Sequence, residues 1–431
     1  MKTARRIHNP TSLSMGMALN LASLGFLALA GLLLNFAIAR FYGEEVLGLF
    51  NMAFAVYIFA SQIGSFGIHF SVLQAVSARN GEDPAALDRA VASGLVGTAI
   101  ASTVTVLVCL PLLPLLTVIY GDKAPGIDTS VLAILPGLWA FSINKTLFSV
   151  INGARHMATF AGLQALRYVF LLVCFAGFMI GQIEGVYLTA VFSITEIVLL
   201  PILFMFSSRV IERWSLAGLK SGLRRHVSFG SRIFLSGAML ELNTRVDVLM
   251  IAFFIDAGAA GIYSIAALVA EGAGQAIFAV RNNFNPVIGN MVARGERAEL
   301  FKLSRKAVLL FTPFMAVISA ITWAAYPLLS RIAFENADFL AAQMPLLILL
   351  TGLTVSSGFL AFGMIFTQAD RPGVHTGFVM TNLLVNAALN LALLPQFGIA
   401  GAAAATALSY VVSSIMLVIL SRMVLGVRLV V

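Results

Sequence analysis

The chain has 431 residues, of which 60% are hydrophobic and only 11% are charged. Soluble globular domains carry about 25% charged residues, so this composition excludes an ordinary soluble domain and indicates a polytopic membrane protein. The formal net charge is +8, and in a membrane protein an excess of lysine and arginine is typical of cytoplasmic loops. The charge therefore predicts no nucleic-acid partner.

Hydropathy predicts an all-α fold with about twelve membrane-spanning helices. The apolar run after Lys2, Arg5 and Arg6 is longer than the roughly 7–15 residues of a signal-peptide core, so we interpret it as the first span rather than a cleaved leader. The predicted spans cover approximately residues 15–39, 49–75, 92–119, 130–152, 159–181, 186–207, 230–254, 262–284, 307–330, 343–366, 376–394 and 400–421.

Lysine and arginine are distributed very unevenly among the predicted loops. If the N-terminus is cytoplasmic, the cytoplasmic segments hold twenty of these residues and the outer loops hold three, which are Arg40, Lys123 and Arg331. The positive-inside rule therefore predicts that both termini lie in the cytoplasm. The predicted outer loops reach at most about fifteen residues each, and we expect no extramembrane domain there.

The longest predicted connection is a basic cytoplasmic linker at residues 208–229. It divides the chain into an N-terminal lobe of six helices, residues 1–207, and a C-terminal lobe of six helices, residues 230–431. Within the linker, Trp214 and the apolar residues that follow it predict a short helix lying at the membrane interface.

The two predicted lobes resemble each other weakly in sequence. The segment at residues 39–50 recurs at residues 252–263, an offset of 213 residues, with Gly48 matching Gly261. Since six is an even number of spans, both lobes would enter the membrane in the same sense, as parallel repeats. We therefore expect two pseudo-symmetric six-helix lobes around a central cavity.

The seventh predicted span contains charged residues in the middle of an otherwise apolar stretch, residues 231–254. Glu241, Arg245 and Asp247 would each cost about 2.5–3.5 kcal/mol at a helix centre facing lipid, so we expect them to face protein or water. Glu241 and Arg245 are four residues apart, and an intrahelical ion pair is one interpretation. Asp247 lies on nearly the opposite face from Arg245, and we expect a cation from a neighbouring helix as its partner.

Several other predicted spans carry polar residues at helical spacing, which is typical of a helix that faces a wet cavity. The alternative interpretation is hydrogen bonding between packed helices. Glu196 and Glu271 have no charged partner within their own helices, which makes them candidates for proton or cation coupling. The stripes consist of Ser142, Lys145, Ser149 and Asn152; Thr189, Ser193 and Glu196; Glu271, Gln275 and Asn282; and Asn382, Asn386 and Asn390.

The sequence carries no motif that predicts an enzyme, a cofactor or a metal site. There is no glycine-rich phosphate loop followed by Lys-Ser or Lys-Thr, and no cluster of cysteine and histidine at metal-ligand spacing. The two cysteines, Cys109 and Cys174, both fall inside apolar runs. Without such motifs, the charged residues inside the predicted spans are best interpreted as lining a polar path through the helical bundle, which predicts transport.

Residues 242–266 carry the most specific pattern in the chain. Asn243, Asp247, Gly261, Tyr263 and Ala266 are spaced as in the seventh and eighth spans of a known group of exporters. With its twelve predicted spans, basic central linker and short outer loops, the whole chain resembles the multidrug/oligosaccharidyl-lipid/polysaccharide exporter superfamily. Within that superfamily it is similar to the bacterial polysaccharide flippases of the Wzx type.

The resemblance implies a multi-pass protein of the bacterial inner membrane that moves a polyprenyl-diphosphate-linked oligosaccharide between leaflets by alternating access. It also implies membrane lipids, a polysaccharide polymerase and a chain-length protein as partners, and a counter-flow of protons or cations. Arginine binds a diphosphate with paired hydrogen bonds, and amides bind sugars. The expected substrate-binding residues are Lys145, Arg167, Arg245, Asn382, Asn386 and Asn390; those expected to couple ions or to serve as structural charges are Glu196, Glu241, Asp247 and Glu271.

Other functions stay open at this point. A cation-coupled multidrug antiporter of the same superfamily is the nearest alternative, although acidic residues are few in the spans of the N-terminal lobe. A lipid II flippase is a further alternative, but those chains resemble fourteen-span proteins, whereas twelve spans are predicted here. A membrane-embedded polysaccharide polymerase or ligase is more distant, because such enzymes generally need a sizeable outer loop.

Overall fold

The computed structural model describes residues 13–78, 84–211, 213–334 and 337–430. Within these ranges the chain forms twelve α-helices and three short 3-10 helices, with no β-strand. The all-α prediction is confirmed. The α-helices are α1 (Leu13–Ser65), α2 (Ile68–Ala78), α3 (Pro84–Tyr120), α4 (Ile127–Gly153), α5 (Met157–Ile180), α6 (Ala190–Ser207), α7 (Leu219–Phe254), α8 (Ala257–Ala293), α9 (Arg297–Ala333), α10 (Gln343–Leu360), α11 (Ile365–Gln368) and α12 (Pro372–Leu425).

Two of these helices each contain two predicted spans. Gly43 interrupts α1 with φ 85°, and Gly398 interrupts α12 with φ 59°. A residue without a Cβ adopts these positive φ values at little steric cost, so a single glycine can separate two helical segments where a loop was expected. The first two and the last two predicted spans are therefore joined by kinks.

Nine helical stretches in the described part of the chain are long and apolar enough to cross a membrane. They include α1, α3 to α6, α9, α10 and α12, and the first half of α8. Helix α7 is long enough, at 36 residues, but its charged residues lower its hydropathy. The chain is a polytopic helical membrane protein, as its composition predicted.

Contacts group the chain into two compact units. Unit 1 consists of Val56–Gly121, Pro125–Ala238 and the described part of Met1–Leu34; unit 2 consists of Asn35–Ala55, Asp122–Ala124 and Met239–Val431. Helix α7 contributes to both units, with the change at Ala238. The predicted lobes at residues 1–207 and 230–431 stay a prediction.

Helix α4 lies at the centre of unit 1. It contacts α2, α3, α5 and α6, and its residues Leu147, Phe148 and Ile151 pack against Leu199 and Leu203 of α6 in one buried cluster. Polar residues of α4 and α6 are buried with these side chains, so α4 can hold a charged group inside the unit.

The predicted interfacial helix in the linker is wrong. Residues 213–216 are not helical, and α7 begins only at Leu219, after Gly218 with its φ of 70°. The backbone N–H of Arg213 donates instead to the buried carboxylate of Asp88, at 2.9 Å. This hydrogen bond to another helix satisfies the Arg213 N–H without a helical turn.

The core of unit 2 is formed by α8, α9, α10 and α12 with the short α11. At another place in this unit, the two repeats predicted from the sequence contact each other. A Cβ on Gly48 would overlap the carbonyl of Ala257, and a Cβ on Gly261 would overlap the carbonyl of Glu44. Both residues of the second contact are offset by 213 from those of the first, so the contacts are equivalent under a pseudo-two-fold exchange.

Candidate functional site

Two of the predicted site residues form an ion pair inside unit 1, and Asn144, which was not predicted, completes the cluster. Arg167 of α5 places its Nε 2.9 Å from Oε1 of Glu196 on α6, and its Nη2 donates to Oε2 at 3.2 Å. Asn144 of α4 donates to the same Oε2 at 2.8 Å. The side chain of Glu196 is only 3% exposed. An ion pair with an additional hydrogen bond therefore holds the Arg167 guanidinium in a fixed orientation.

Aromatic rings cover the cations of this cluster. Lys145 Nζ lies 4.8 Å and Arg167 Cζ lies 5.0 Å from the centroid of the Phe141 ring. Arg167 also lies 4.8 Å from the ring of Phe148, and Lys145 donates to Ser61 Oγ at 2.9 Å. Ring faces attract cations, so these contacts offset part of the free-energy cost of burying two positive groups.

Asp247 of α7 forms the centre of a second polar cluster, in unit 2. Tyr263 of α8 and Thr406 of α12 donate hydroxyl hydrogen bonds to its Oδ2 at 2.9 Å and 2.5 Å. Asn386 and Asn390 of α12 donate to its Oδ1 at 3.1 Å and 2.9 Å. The expectation of a cationic partner is wrong, because the four donors are all neutral.

The local sequence explains how α12 presents these donors. Asn386 and Asn390 are four residues apart, so they lie on one face of the helix. Asn390 Nδ2 also contacts Asn386 Oδ1 at 2.9 Å, and both side chains are buried. The amides predicted to bind sugar are therefore directed at Asp247, and their role in substrate binding stays a prediction. Asn382 is half-buried on the same helix.

The other predicted charges also belong to unit 2. The Arg245 guanidinium carbon lies 5.3 Å from the centroid of the Phe54 ring in α1. The positive charge of Arg245 also attracts the carboxylate of Glu271 in α8. Glu241 is half-buried and precedes Arg245 by one helical turn. The roles of these three residues stay predictions.

Sequence reasoning missed several residues of both clusters. Thr406 lies in an alanine-rich stretch of α12 without any polar pattern. Tyr263 was recognised only as part of a family pattern, with no role. Asn144 follows Ile143 and is one residue away from the polar stripe of α4 that contains Lys145. Thr406 has only apolar neighbours, and Asn144 lies outside the i, i+3, i+4 spacing of its stripe, so helical periodicity gave no signal for either residue.

Comparison with known proteins places the chain in a family. The family model described as polysaccharide biosynthesis protein matches residues 14–280, which is more than half of the chain. Among curated proteins, none matches the chain in sequence. Structural comparison, by contrast, finds clear matches.

Three solved structures illustrate the likeness. Lipid II flippase MurJ, in an inward closed conformation, matches with a TM-score of 0.73 at 14% identity, covering 94% of this chain and 87% of that chain. An inward-facing multidrug resistance MATE family transporter of the MOP superfamily matches with a TM-score of 0.75 at 14% identity, covering 92% and 94%. A mutant of the Vibrio cholerae MATE transporter VcmN matches with a TM-score of 0.65 at 17% identity, covering 96% and 97%.

At these identities the structural likeness establishes the fold, and the family model establishes the family. The fold is that of the lipid II flippase MurJ and of MATE family transporters. The chain therefore belongs to the polysaccharide biosynthesis protein family, and it is a multi-pass helical membrane protein with the fold of the MurJ flippase and of MATE family transporters.

Proposed function

We propose that this protein is a flippase that moves a polyprenyl-diphosphate-linked oligosaccharide across the bacterial inner membrane by alternating access. The observation that carries the proposal is the pair of cations, Lys145 and Arg167, held against the ring of Phe141 inside unit 1 of a member of the polysaccharide biosynthesis family. A diphosphate group bound within a membrane protein needs fixed positive charge. Two oriented cations supply it.

The geometry of unit 1 is suited to phosphate recognition. Arginine has five N–H donors, and Glu196 engages the Nε and Nη2 edge of Arg167. The remaining donors can bind phosphate oxygens. Lys145, Arg167 and Glu196 together carry one net positive charge, which a diphosphate would balance in part. Arg245, held over Phe54 in unit 2, is our further candidate for binding the headgroup.

We also propose Asp247 as the ion-coupling residue. Its four neutral donors stabilise the carboxylate, yet they bring no positive charge to it. Burying an ionised group without a counter-charge costs free energy. Binding of a proton or cation at Asp247 removes that cost and is therefore favourable. With the Asn386 and Asn390 amides rotated so that their oxygens face Asp247, these oxygens and the Thr406 hydroxyl would be hard ligands of the kind that alkali and alkaline-earth cations prefer.

The proposal is tested by a flipping assay with a fluorescent polyprenyl-diphosphate trisaccharide in vesicles that contain the purified protein. Lys145→Gln and Arg167→Lys are each expected to slow flipping about tenfold or more, because a charge-assisted hydrogen bond contributes about 1.5–3 kcal/mol. Lys302→Gln is the control, since Lys302 is an exposed lysine that pairs with Glu299 on the surface.

Each rival function has its own outcome in the same vesicles. Unchanged flipping in the two variants would contradict the proposed role of the cations. Export of an organic cation such as ethidium by the wild type, with no flipping of the trisaccharide lipid, would favour the multidrug antiporter. Growth of the sugar chain would favour a polymerase.

A further inference from the structure

The chain turns back on itself immediately after α6. The return loop, which we define as residues 204–214, begins in the last turn of that helix. Ser208 N donates to Phe204 O at 2.9 Å, and Val210 N donates to Ser207 O at 3.0 Å. Ile211 is then buried in the cluster that contains residues of α2 and α3. The start and the middle of the loop are therefore held in place.

Two contacts fix the far end of the return loop. The buried Asp88 accepts the backbone N–H of Arg213 at 2.9 Å. The Trp214 ring then stacks on the ring of Phe204, with 4.9 Å between centroids and an angle of 6° between the planes. Because the backbone of Arg213 is tied to Asp88, the side chains of Arg213 and Trp214 are presented from a defined position.

The outward face of the return loop combines apolar and basic groups. Trp214 is 44% exposed and Phe204 is 46% exposed. The Arg209 guanidinium lies 4.6 Å from the centroid of the Phe206 ring and its side chain is exposed, as is that of Arg213. Three further exposed basic residues follow in the first two turns of α7, namely Lys220, Arg224 and Arg225.

This face continues the apolar outer surface of α6. Ile197, Val198 and Met205 are all exposed on that helix, and a membrane-spanning helix presents such side chains to acyl chains. Trp214 extends this surface at the end of the span. Tryptophan is enriched at the level of lipid headgroups because its ring is apolar and its N–H is polar.

We propose that the return loop binds the headgroup of an anionic phospholipid in the leaflet where α6 ends. Arg209 and Arg213 would bind the phosphate, since the guanidinium fork matches phosphate oxygens, and the Trp214–Phe204 stack would contact the upper acyl chain. Anionic leaflets attract basic segments beside a membrane span. Counting Glu212, which lies outside the described residues, the linker at 208–229 still has five basic residues against one acidic.

The site is separate from the one proposed for transport. It uses none of Lys145, Arg167, Arg245 or Asp247, and its ligand is a lipid of the membrane rather than the cargo. Its failure would leave the proposed flippase function intact. A free phosphate ion has no acyl chain for the aromatic stack, so the proposal commits to a lipid.

The experiment measures lipid retention on the full chain in detergent by native mass spectrometry. Dioleoyl phosphatidylglycerol is compared with dioleoyl phosphatidylcholine at equal concentration. The double variant Arg209→Gln, Arg213→Gln is expected to retain phosphatidylglycerol about fivefold less for each arginine removed. Each basic residue near an anionic surface contributes about 1 kcal/mol to binding, which corresponds to about a factor of five in affinity. Retention of phosphatidylcholine should not change.

A matched control removes the same charge elsewhere. Arg305→Gln, Lys306→Gln changes two exposed residues of α9 and is expected to retain phosphatidylglycerol like the wild type. Equal losses in both double variants would reduce the effect to net charge and overturn the site, as would wild-type retention in the first. Glycerol phosphate in large excess should not displace the lipid, and displacement would mean that the site binds phosphate alone.

A second variant protects the test against misfolding. Arg209 is exposed, and the only ring contact that the structure gives its guanidinium among the described residues is with Phe206. The single change Arg209→Gln should therefore fold even if the double variant does not. It is expected to lose phosphatidylglycerol about fivefold, and unchanged retention would overturn the proposal.

Discussion

Glu196 and Asp247 are both carboxylates buried within membrane helices, one in unit 1 and the other in unit 2, and they are stabilised in different ways. Glu196 is 3% exposed and is paired with Arg167. Asp247 is 7% exposed and accepts hydrogen bonds from four neutral side chains. The first charge is already balanced within the protein, whereas the second is stabilised by dipoles alone.

This difference indicates different roles for the two carboxylates. A balanced pair keeps its geometry, so Glu196 is suited to orienting Arg167 toward a ligand. A carboxylate stabilised only by dipoles gains free energy when a proton or cation arrives, so Asp247 is suited to respond to an ion. Mutations that remove a charge from each cluster should therefore have distinct effects.

The largest expected effect is in unit 1. Arg167→Met leaves Glu196 buried with Asn144 as its main partner, and removing one member of a buried pair costs about 3–5 kcal/mol. Denaturant unfolding in detergent would measure the loss. The double variant Arg167→Met, Glu196→Gln should regain much of it, because no unpaired charge remains. A double variant as unstable as the single one would contradict the pairing.

An effect of intermediate size is expected in unit 2. Asp247→Asn keeps the shape of the side chain, and the Tyr263 and Thr406 hydroxyls can turn to accept hydrogen bonds. If sodium is the coupling ion, wild-type stability should rise by about 1.4 kcal/mol at a sodium concentration ten times the Kd, and the variant should show no rise.

The matched control is Glu196→Gln, which should keep the sodium response because Asp247 is intact. Melting temperatures in sodium chloride and in choline chloride at equal ionic strength would separate specific binding from screening. If Glu196→Gln lost the sodium response and Asp247→Asn kept it, sodium would bind at Glu196 rather than at Asp247.

The smallest effect concerns His226, a buried titratable group of unit 1 that lies before the predicted seventh span. Its Nδ1 lies 2.9 Å from Ser71 Oγ, and its Nε2 lies 3.0 Å from Ala90 O. Burial lowers the pKa of His226, the backbone hydrogen bond with Ala90 opposes this change, and the charge of Arg225 adds to it. The neutral ring is therefore the form that the folded protein favours.

The sign of the pH dependence follows from this direction. The contribution to stability is complete above the unfolded pKa of about 6.5 and is lost as the pH falls toward the lower pKa of the folded protein. We expect His226→Gln to flatten the unfolding profile between neutral and mildly acidic pH in sodium-free buffer. A profile that is unchanged would assign the pH dependence to other groups.

Much of the fold could be predicted because it depends on solvent preference. Apolar segments of about 20 residues must lie in the bilayer, and charged side chains such as Arg245 and Asp247 inside them must avoid lipid. The repeat offset also predicted the equivalence of Gly48 and Gly261, which the structure shows in direct contact. The linker helix was wrong because the burial of Ile211 and the hydrogen bond to Asp88 outweigh a local apolar pattern.

The partners of the buried charges could not be predicted in the same way. Asp247 meets Asn386 and Thr406, which are 139 and 159 residues away in the chain. Arg167 meets Glu196, 29 residues away on another helix. Periodicity shows which face of one helix is polar, but it carries no information about which other helix packs against that face.

The sequence by itself determined that this protein lies in the membrane, that its spans are helical, and that certain charges are turned away from lipid. These properties follow from the cost of exposing polar groups to hydrocarbon, which each segment experiences alone. Only the tertiary structure decided that Glu196 has a cationic partner and Asp247 has neutral ones, because those contacts depend on how distant helices pack together.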